Sequence, residues 1–406
     1  MGQDLIIPCQ AEPAIDTSLP NPVPADRLTG GVRLRMTTEP ETARAAWQAL
    51  EQTGLSTLYQ SWGWCAAWRD TVGRARGIVP VVVTGEDAAG QPLFVLPLQI
   101  EQRFGARLLQ WQSWPHGSYG YGLYERAFLA QAPDWFQQHG AELAAVLPPF
   151  DLWLLQDMPE TLHGARHPLA GLFNVRGANV LYAMDLRPDF AALYEARRSG
   201  DSRRSARKRD SRLGAMGSLT FGLPEAGAAT HDVLDQMFTD QQKRLAEAHI
   251  QGPFDAAAQA FIHRLADVQA GDGLVLQPYA LRLDGRLLCV MLGAVQGGCY
   301  WALISSLAAG PERKHSPGDM ALRRMIEACC AQGLHSLDFA SGDTAYKRQW
   351  ADRVVPLHGL VRAQTMRGVA FRLPWAAYFH AKRVVKGSPV LRAVYNRLRS
   401  VLPRPV

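Results

Sequence analysis

Two stretches of the chain read as the same succession of elements, and no other feature of the sequence limits the possible folds as much. In the first, the run TLYQSWGWCAAWRDT at 57–71 has helical spacing, with Trp64, Ala67 and Trp68 on one side. The strands IVPVVVT, PLFVLPLQI and ARLLQWQ follow, separated by turns at 86–90 and around Gly105; a helix near 129–146 and the strand DLWLLQ at 151–156 close the set. The second stretch gives helical patterns at 231–248 and 255–270, then the strands LQPYALRL, RLLCVMLGAV and CYWALISS joined by short glycine turns. A helix at 317–332 and the strand HSLDFA at 335–340 complete it. Each stretch therefore runs helix, three-strand meander, helix, closing strand. The expected class is α/β: two related modules, each a mixed, mostly antiparallel sheet flanked by helices.

At 406 residues and 47% apolar content the chain is long enough for one or two such cores. Residues 1–31, rich in Pro, Asp and Gly without sustained periodicity, read as a flexible lead-in. The first module is then expected over 32–175, the second over 176–365, and a basic amphipathic tail over 366–406.

Charge sharpens the last boundary. With 43 basic and 37 acidic residues the net charge is +6, too small for a uniformly basic nucleic-acid coat. The last acidic residue is Asp352; beyond it stand eleven Lys and Arg, leaving the first 352 residues at about −5. The tail FRLPWAAYFHAKRVVKGSPVLRAVYNRLRSVL mixes apolar and basic residues between prolines, which suits short amphipathic helices on an anionic membrane surface, or packing on the body of the protein.

Six cysteines without CxxC or framework spacing suit a reducing compartment, and the start MGQDLIIPCQ has no basic leader with an apolar core, so a cytoplasmic location is expected, at most peripheral at the inner face of a membrane. The uncharged stretch Leu287–Pro311 is long enough to cross a bilayer, but Gln296-Gly297-Gly298 interrupts it as a hairpin turn between two buried strands.

Ser316-Pro317-Gly318-Asp319 reads as a helix start, with Ser316 as cap, Pro317 at the first helical position and Asp319 completing a capping box. Arg313, Lys314 and His315 stand just before it, and cations beside free helix N–H groups favour a bound phosphate, although a plain capped surface helix has the same signature. Past the next strand, Asp338, Asp343, Tyr346 and Lys347 gather near one strand end, where open α/β sheets collect ligands. Between Arg197 and Arg212 eight basic residues face two Asp, and Arg204, Arg207 and Lys208 share a face if the segment is helical; an anionic substrate or a solvated linker helix both fit. Trp62, Trp64 and Trp68 at near-helical spacing are expected in the core, and the loop Gly117–Gly122, without P-loop or Rossmann spacing, is expected to be a flexible cleft loop.

The run KHSPGDMALRRMIEACCAQGLHSLDFASGDTAYKRQW resembles the hallmark segment of bacterial GNAT-type acyltransferases of the CelD family, associated with cellulose and other exopolysaccharide biosynthesis. SWGWCAAW at 61–68, FDLWLLQDMP at 150–159 and RRSARKRDSRLGAMGSLTF at 203–221 extend the resemblance over about 55–362, and it is similar more distantly to the Fem-type enzymes that use aminoacyl-tRNA. The resemblance implies a fold in which a splayed strand pair admits the pantetheine arm of acetyl-CoA or another acyl-CoA, while a helix start at Ser316, Pro317 and Gly318 holds its pyrophosphate. It departs from the common phosphate signature, Gln or Arg followed by xxGxG or xxGxA, because only Gly318 is available. The acceptor implied is a saccharide or envelope precursor, with N- or O-transfer. By position, Asp338 or Asp343 is then the base or acceptor anchor, Tyr346 the candidate proton donor to sulfur, and Lys347 the stabiliser of developing negative charge or the binder of an acidic acceptor. No metal is implied. The first module lacks the SPG turn and the Tyr-Lys pair and is expected to be a non-catalytic copy. Two rivals stay open: aminoacyl transfer from tRNA, and a non-catalytic scaffold of an exopolysaccharide assembly.

Overall fold

The structure is a computed structural model and describes residues 25–247 and 254–388. Most of the expected lead-in, 1–24, and the last part of the tail, 389–406, lie outside the described residues. The described chain forms two compact units, one of residues 25–181 and 355–388, the other of residues 182–354.

In the first unit, Ala25–Thr29, Val32–Thr37, Val79–Glu86, Pro92–Arg103 and Ala106–Trp111 follow one another as antiparallel neighbours. Leu152–Pro159 then joins Ala106–Trp111 in parallel, and residues of Arg353–Ala363 pair antiparallel with its other edge. The lead-in was expected to run to residue 31, yet Ala25–Thr29 is a strand, turned back by Gly30 and Gly31 at φ 53° and 76°. Two consecutive positive φ values suit a tight hairpin, and the alternating burial of Val32, Leu34 and Met36 fixes its register. Expected as one helix, 129–146 is instead two, Ala132–Gln138 and Gly140–Val146. Their apolar residues close over the sheet, with Phe94 at the centre of a ring cluster that holds Phe136 at 5.0 Å, Trp135 at 5.6 Å and Phe128 at 5.8 Å.

The second unit repeats the order. Leu219–Gly222, Val275–Leu283, Arg286–Gln296 and Cys299–Leu307 form an antiparallel meander, and Ser336–Ser341 joins the last of them in parallel. The stretch that had the length of a membrane span is the hairpin 286–307: Gln296 pairs with Cys299 across Gly297 and Gly298, at φ 57° and 71°. The helix Pro317–Ala331 buries Met320, Leu322, Met325, Ile326 and Cys329 against these strands and ends at Gly333, whose φ of 71° is the left-handed stop that glycine accepts at little cost. Both units are thus mixed, mostly antiparallel sheets flanked by helices.

The start of the tail was expected as short helices broken at prolines. It is one helix, Met366–Gly387, running through Pro374. Thr365 caps it, accepting from Gly368 N at 3.2 Å and donating to Asp151 Oδ1 at 2.7 Å. Pro374 sits on the exposed side, where water can satisfy the carbonyl its ring leaves unpaired. Phe371, Trp375, Tyr378 and Phe379 pack on Leu108, Leu152, Leu154 and Val361. Among the described residues, no helix is long and apolar enough to cross a membrane. Cys65, Cys289, Cys299, Cys329 and Cys330 are buried and free.

Candidate active site

The second unit carries a fork in its sheet. Cys299–Leu307 pairs with Arg286–Gln296 along its length, but Gly293 faces Ala302 while Leu292 faces Ile304, so Leu303 is an extra residue in a bulge. A bulge bends its strand. On the other edge, the parallel pairing with Ser336–Ser341 covers only Cys299 with Ser336, Tyr300 with Leu337 and Trp301 with Asp338. Beyond Trp301 and Asp338 the two strands no longer pair, and the residues along the opening, Ala302, Leu303, Ile304, Ala340 and Ser341, are only half-buried. Strand edges that part inside a sheet present N–H and C=O groups that an extended, amide-bearing ligand can pair with.

Asp338 therefore stands at the last paired position. It is buried, and its Oδ1 accepts from Ala340 N at 2.6 Å, which holds Ala340 in the left-handed region at φ 60°. A non-glycine residue there costs about 1 kcal/mol or more, so the carboxylate is what keeps the strand end turned. On the short helix Ala345–Trp350, Lys347 is buried as well, and its Nζ donates to Ser341 O at 2.6 Å. The pair fixes the loop 339–344 from both sides. Asp343 accepts from the Tyr182 hydroxyl at 2.9 Å and from Arg348. Tyr346 is 38% exposed, edge-on to Phe339 at 6.1 Å, and desolvation holds its phenol above the usual tyrosine value. The structure thus brings all four expected residues to one strand end, with Asp338 and Lys347 inside it and Tyr346 and Asp343 at its surface.

The expected capping box is not formed at the helix start. Ser316 adopts φ 55° and ψ 53° and makes no side-chain cap; its carbonyl, instead, accepts from Asp319 N at 3.0 Å. Asp319 cannot fold back because three guanidiniums hold it: Arg323 at 3.3 Å, Arg209 at 3.4 Å and Arg198 at 3.6 Å. Arg313 and Lys314 are exposed on a 3-10 turn, Pro311–His315, with His315 and Gly318 half-buried and Pro317 buried. That turn is braced by Glu312, whose carboxyl a hydrogen bond from Arg286 holds below the usual range. A Cβ at Gly318 would meet only Leu307 Cδ1, at 4.0 Å, so its backbone is open to approach. Burial, and the like charge of Arg313, hold Arg244 below the usual arginine value. Two guanidiniums that repel each other are a setting that an anion relieves, and Arg313 stands just before the helix start.

The basic segment is the helix Gly200–Gly214, and it has two faces. Arg209 reaches Asp319, and Asp210 takes a two-pronged bond from Arg323 at 2.7 and 2.9 Å. This face packs on the helix that starts the site and beside the 311–315 turn. The other face holds Arg204, Arg207 and Lys208, all exposed, with Arg204 also 3.4 Å from Asp201. The sequence reading missed Arg198, Arg209 and Arg323; the first two stand in the charge run 197–212, but nothing in the sequence pairs that run with Asp319.

The first unit has the equivalent fork, and it is filled. Ala106–Trp111 pairs in parallel with Leu152–Pro159 only at Leu108 with Leu152 and Leu109 with Trp153. On its other edge Trp111 faces Leu98 and Leu123 faces Val95, so residues 112–122 stand opposite only Leu96 and Pro97. Where the second unit has one extra residue, this one has a loop. The loop turns into the fork: Gly120 N donates to Asp157 O at 3.2 Å, and a Cβ at Gly120 would come within 2.1 Å of Trp111 Cδ1. Gln112, Ser113, Tyr119 and Tyr121 are buried, and Trp64 Nε1 donates to Ser113 Oγ at 2.9 Å. The 117–122 segment, expected as a flexible cleft loop, is a packed plug, because its aromatic residues and its glycine fit the space that the parting strands leave. Trp62, Trp64 and Trp68 are core residues as expected.

Among the described residues, no group of three or more His, Cys, Asp or Glu side chains is placed to hold a metal ion. A family profile described as an acetyltransferase (GNAT) domain matches residues 200–348, a little over a third of the chain. No curated protein matches the sequence. Among solved structures, the chain is similar to FemX at 10% identity and a TM-score of 0.53, over 79% of this chain and 96% of that one. It is also similar to the C-terminal domain of a putative lysylphosphatidylglycerol synthetase from Agrobacterium fabrum, at 12% identity and a TM-score of 0.48, over 82% and 95%. A tandem GNAT protein from the clavulanic acid biosynthesis pathway aligns at 12% identity and a TM-score of 0.40, over 81% and 98%. The profile match begins at the basic helix and ends one residue past Lys347, so it encloses the fork, the helix start and the strand-end loop together. Residues 200–348 are a GNAT-type acetyltransferase domain, and the chain is an acyltransferase.

Proposed function

We propose that the fork of residues 299–307 and 336–341 takes the pantetheine arm of an acyl-CoA, with acetyl-CoA as the first donor to test, and that the acyl group passes to a saccharide or a related envelope precursor. The observation that carries this reading is the contrast between the forks: the strands that part in the second unit keep half-buried edges, whereas a buried loop fills the first. The first unit then serves as a non-catalytic copy. The phosphates would lie at Gly318, where the backbone is open and Arg313, Lys314 and Arg244 supply charge, with His315 alongside. Arg204, Arg207 and Lys208 would meet the anionic parts of substrate.

In the reaction the acceptor's nitrogen or oxygen attacks the thioester carbonyl, the carbon–sulfur bond breaks, the acceptor loses a proton and the thiolate gains one. Tyr346 is suited to the second proton, since a phenol held above its usual value stays protonated at neutral pH and faces solvent at the strand end. Asp338 and Lys347 turn the strand and pin its loop, which makes them positioning residues first, with Asp338 also the candidate base or acceptor anchor. Asp343, shared between Tyr182 and Arg348, is the weaker base. The resemblance to exopolysaccharide enzymes supports a saccharide acceptor. The exposed cations of the 200–214 helix also suit a larger polyanion such as a charged tRNA, and that is the second reading.

Calorimetric titration with CoA and acetyl-CoA tests the donor, with Gly318→Asp as the variant; the carboxylate fits the space beside Leu307 but repels phosphate. Binding by wild type and its loss in the variant is expected. If wild type binds neither ester yet retains labelled aminoacyl-tRNA at moderate salt, the second reading replaces the first. With a working acceptor, Tyr346→Phe is expected to lower kcat by roughly a hundredfold at unchanged donor affinity.

A further inference from the structure

The helix Met366–Gly387 is apolar on two opposite faces. Its inner face, Phe371, Trp375, Tyr378 and Phe379, is covered by the first unit. At helical spacing on the far side stand Met366, Val369, Leu373 and Val384, exposed by 84, 43, 66 and 42%. A helix in water normally turns polar residues outward, and an apolar outer stripe needs a partner. Basic residues flank the stripe: Arg367, Arg372 and Arg383 are exposed, and from Arg353 to the last residue there is no carboxylate.

A second exposed apolar group sits at the same end. Arg367 donates to Gly105 O at 2.9 Å, which ties the first turn of the helix to the hairpin Phe104-Gly105. Phe104 is 69% exposed, in the left-handed region at φ 50°, with the Arg103 guanidinium 5.2 Å from its ring. An aromatic residue gains nothing from that conformation in water. At an interface its ring is buried while the arginine stays with the headgroups.

We infer that this face docks on an anionic lipid surface, the helix lying in the plane of the interface with Met366, Val369, Leu373 and the Phe104 ring turned into the acyl boundary and the arginines among the headgroups. Charge selects the occupant: an apolar stripe flanked by Arg367, Arg372 and Arg383 on a helix without Asp or Glu matches an anionic bilayer, and 22 residues give about 33 Å of helix to lie along it. The inference does not depend on the proposed reaction.

The full chain is sedimented with vesicles of phosphatidylcholine alone and of phosphatidylcholine mixed with phosphatidylglycerol. Retention on the anionic vesicles only, falling as salt rises, is expected. Phe104→Asn with Leu373→Gln removes the apolar contribution without threatening the fold, since Asn tolerates a left-handed φ and position 373 is exposed. This pair is expected to release the protein, and Arg372→Gln to weaken binding roughly fivefold. Absence of binding to anionic vesicles overturns the inference. So does undiminished binding by the double variant, which would leave charge alone responsible. Concentration-dependent dimerisation lost in the same variant would assign the stripe to a second copy of the chain and overturn it equally.

Discussion

His167 gives the plug of the first unit a pH dependence that can be worked out in advance. Its ring is fully buried, with Nε2 3.3 Å from Gly120 O and Nδ1 accepting from Leu169 N at 3.0 Å. Both nitrogens are satisfied only in the neutral form, with the proton on Nε2. A second proton on Nδ1 would point at the Leu169 N–H, and desolvation, with the nearby His358, holds the group down to about 3. An unfolded histidine titrates near 6.5. The folded chain therefore refuses a proton that the unfolded chain accepts, so stability is complete above about 6.5, falls as pH drops below it, and levels off near 3. Between pH 7 and pH 5 the loss from this one group is about 2 kcal/mol. Urea unfolding followed by tryptophan emission reads the plug directly, since Trp64 and Trp111 line it. His167→Gln keeps a donor for Gly120 O but does not titrate. The difference in unfolding free energy between pH 7 and pH 5 should be smaller in this variant than in wild type by about 2 kcal/mol. Equal pH dependence in the two proteins would refute the reasoning, because it would mean that the ring takes its proton without unfolding.

Gly120→Ala places a methyl against Trp111 and is expected to cost about 1–3 kcal/mol in urea unfolding while leaving donor titration by the second unit unchanged. Arg323→Met strands the carboxylate of Asp210, while Asp319 keeps Arg198 and Arg209, and should lower stability by about 1–2 kcal/mol in thermal melts; adding Asp210→Asn should recover part of that loss, and additivity instead would show the pair to be uncoupled.

The repeated plan was legible because it is written in periodicities: VPVVVT and PLFVLPLQI alternate or run apolar as strands do, and Gly297-Gly298 names its own turn. The strand-end cluster was legible for the same reason, since Asp338, Asp343, Tyr346 and Lys347 are close in sequence and one tight turn gathers them. What sequence spacing does not carry is the partner of a charge. Asp319 looked like half of a capping box because that motif is local, yet it is claimed by Arg198, just before the basic helix, and by Arg209 within it, and no local pattern announces a pairing across more than a hundred residues. The tail helix failed as an expectation for a related reason: Pro374 breaks a helix only if the carbonyl it frees is left unserved, and an exposed position removes that penalty.

The difference between the two units comes down to how many residues one strand spends at the same point. In each, the last strand of the antiparallel series leaves register with the one before it close to where the parallel neighbour begins to part. Spending one residue, Leu303, bends the strand and leaves the fork edged by half-buried backbone. With residues 112–122 spent there, the chain has enough length to double back, satisfy Asp157 O with Gly120 N, and fill the space with Tyr119 and Tyr121. Buried backbone groups must be paired, and the first unit pairs those at its fork with its own loop; in the second, Asp338 and Lys347 serve Ala340 N and Ser341 O. A fork closed from within keeps its shape without ligand, which suits a unit that supports rather than reacts. On the proposed reading, the second unit's fork offers the place for the thioester, the open Gly318 turn the place for phosphate and Tyr346 the proton donor, all carried by one segment of chain.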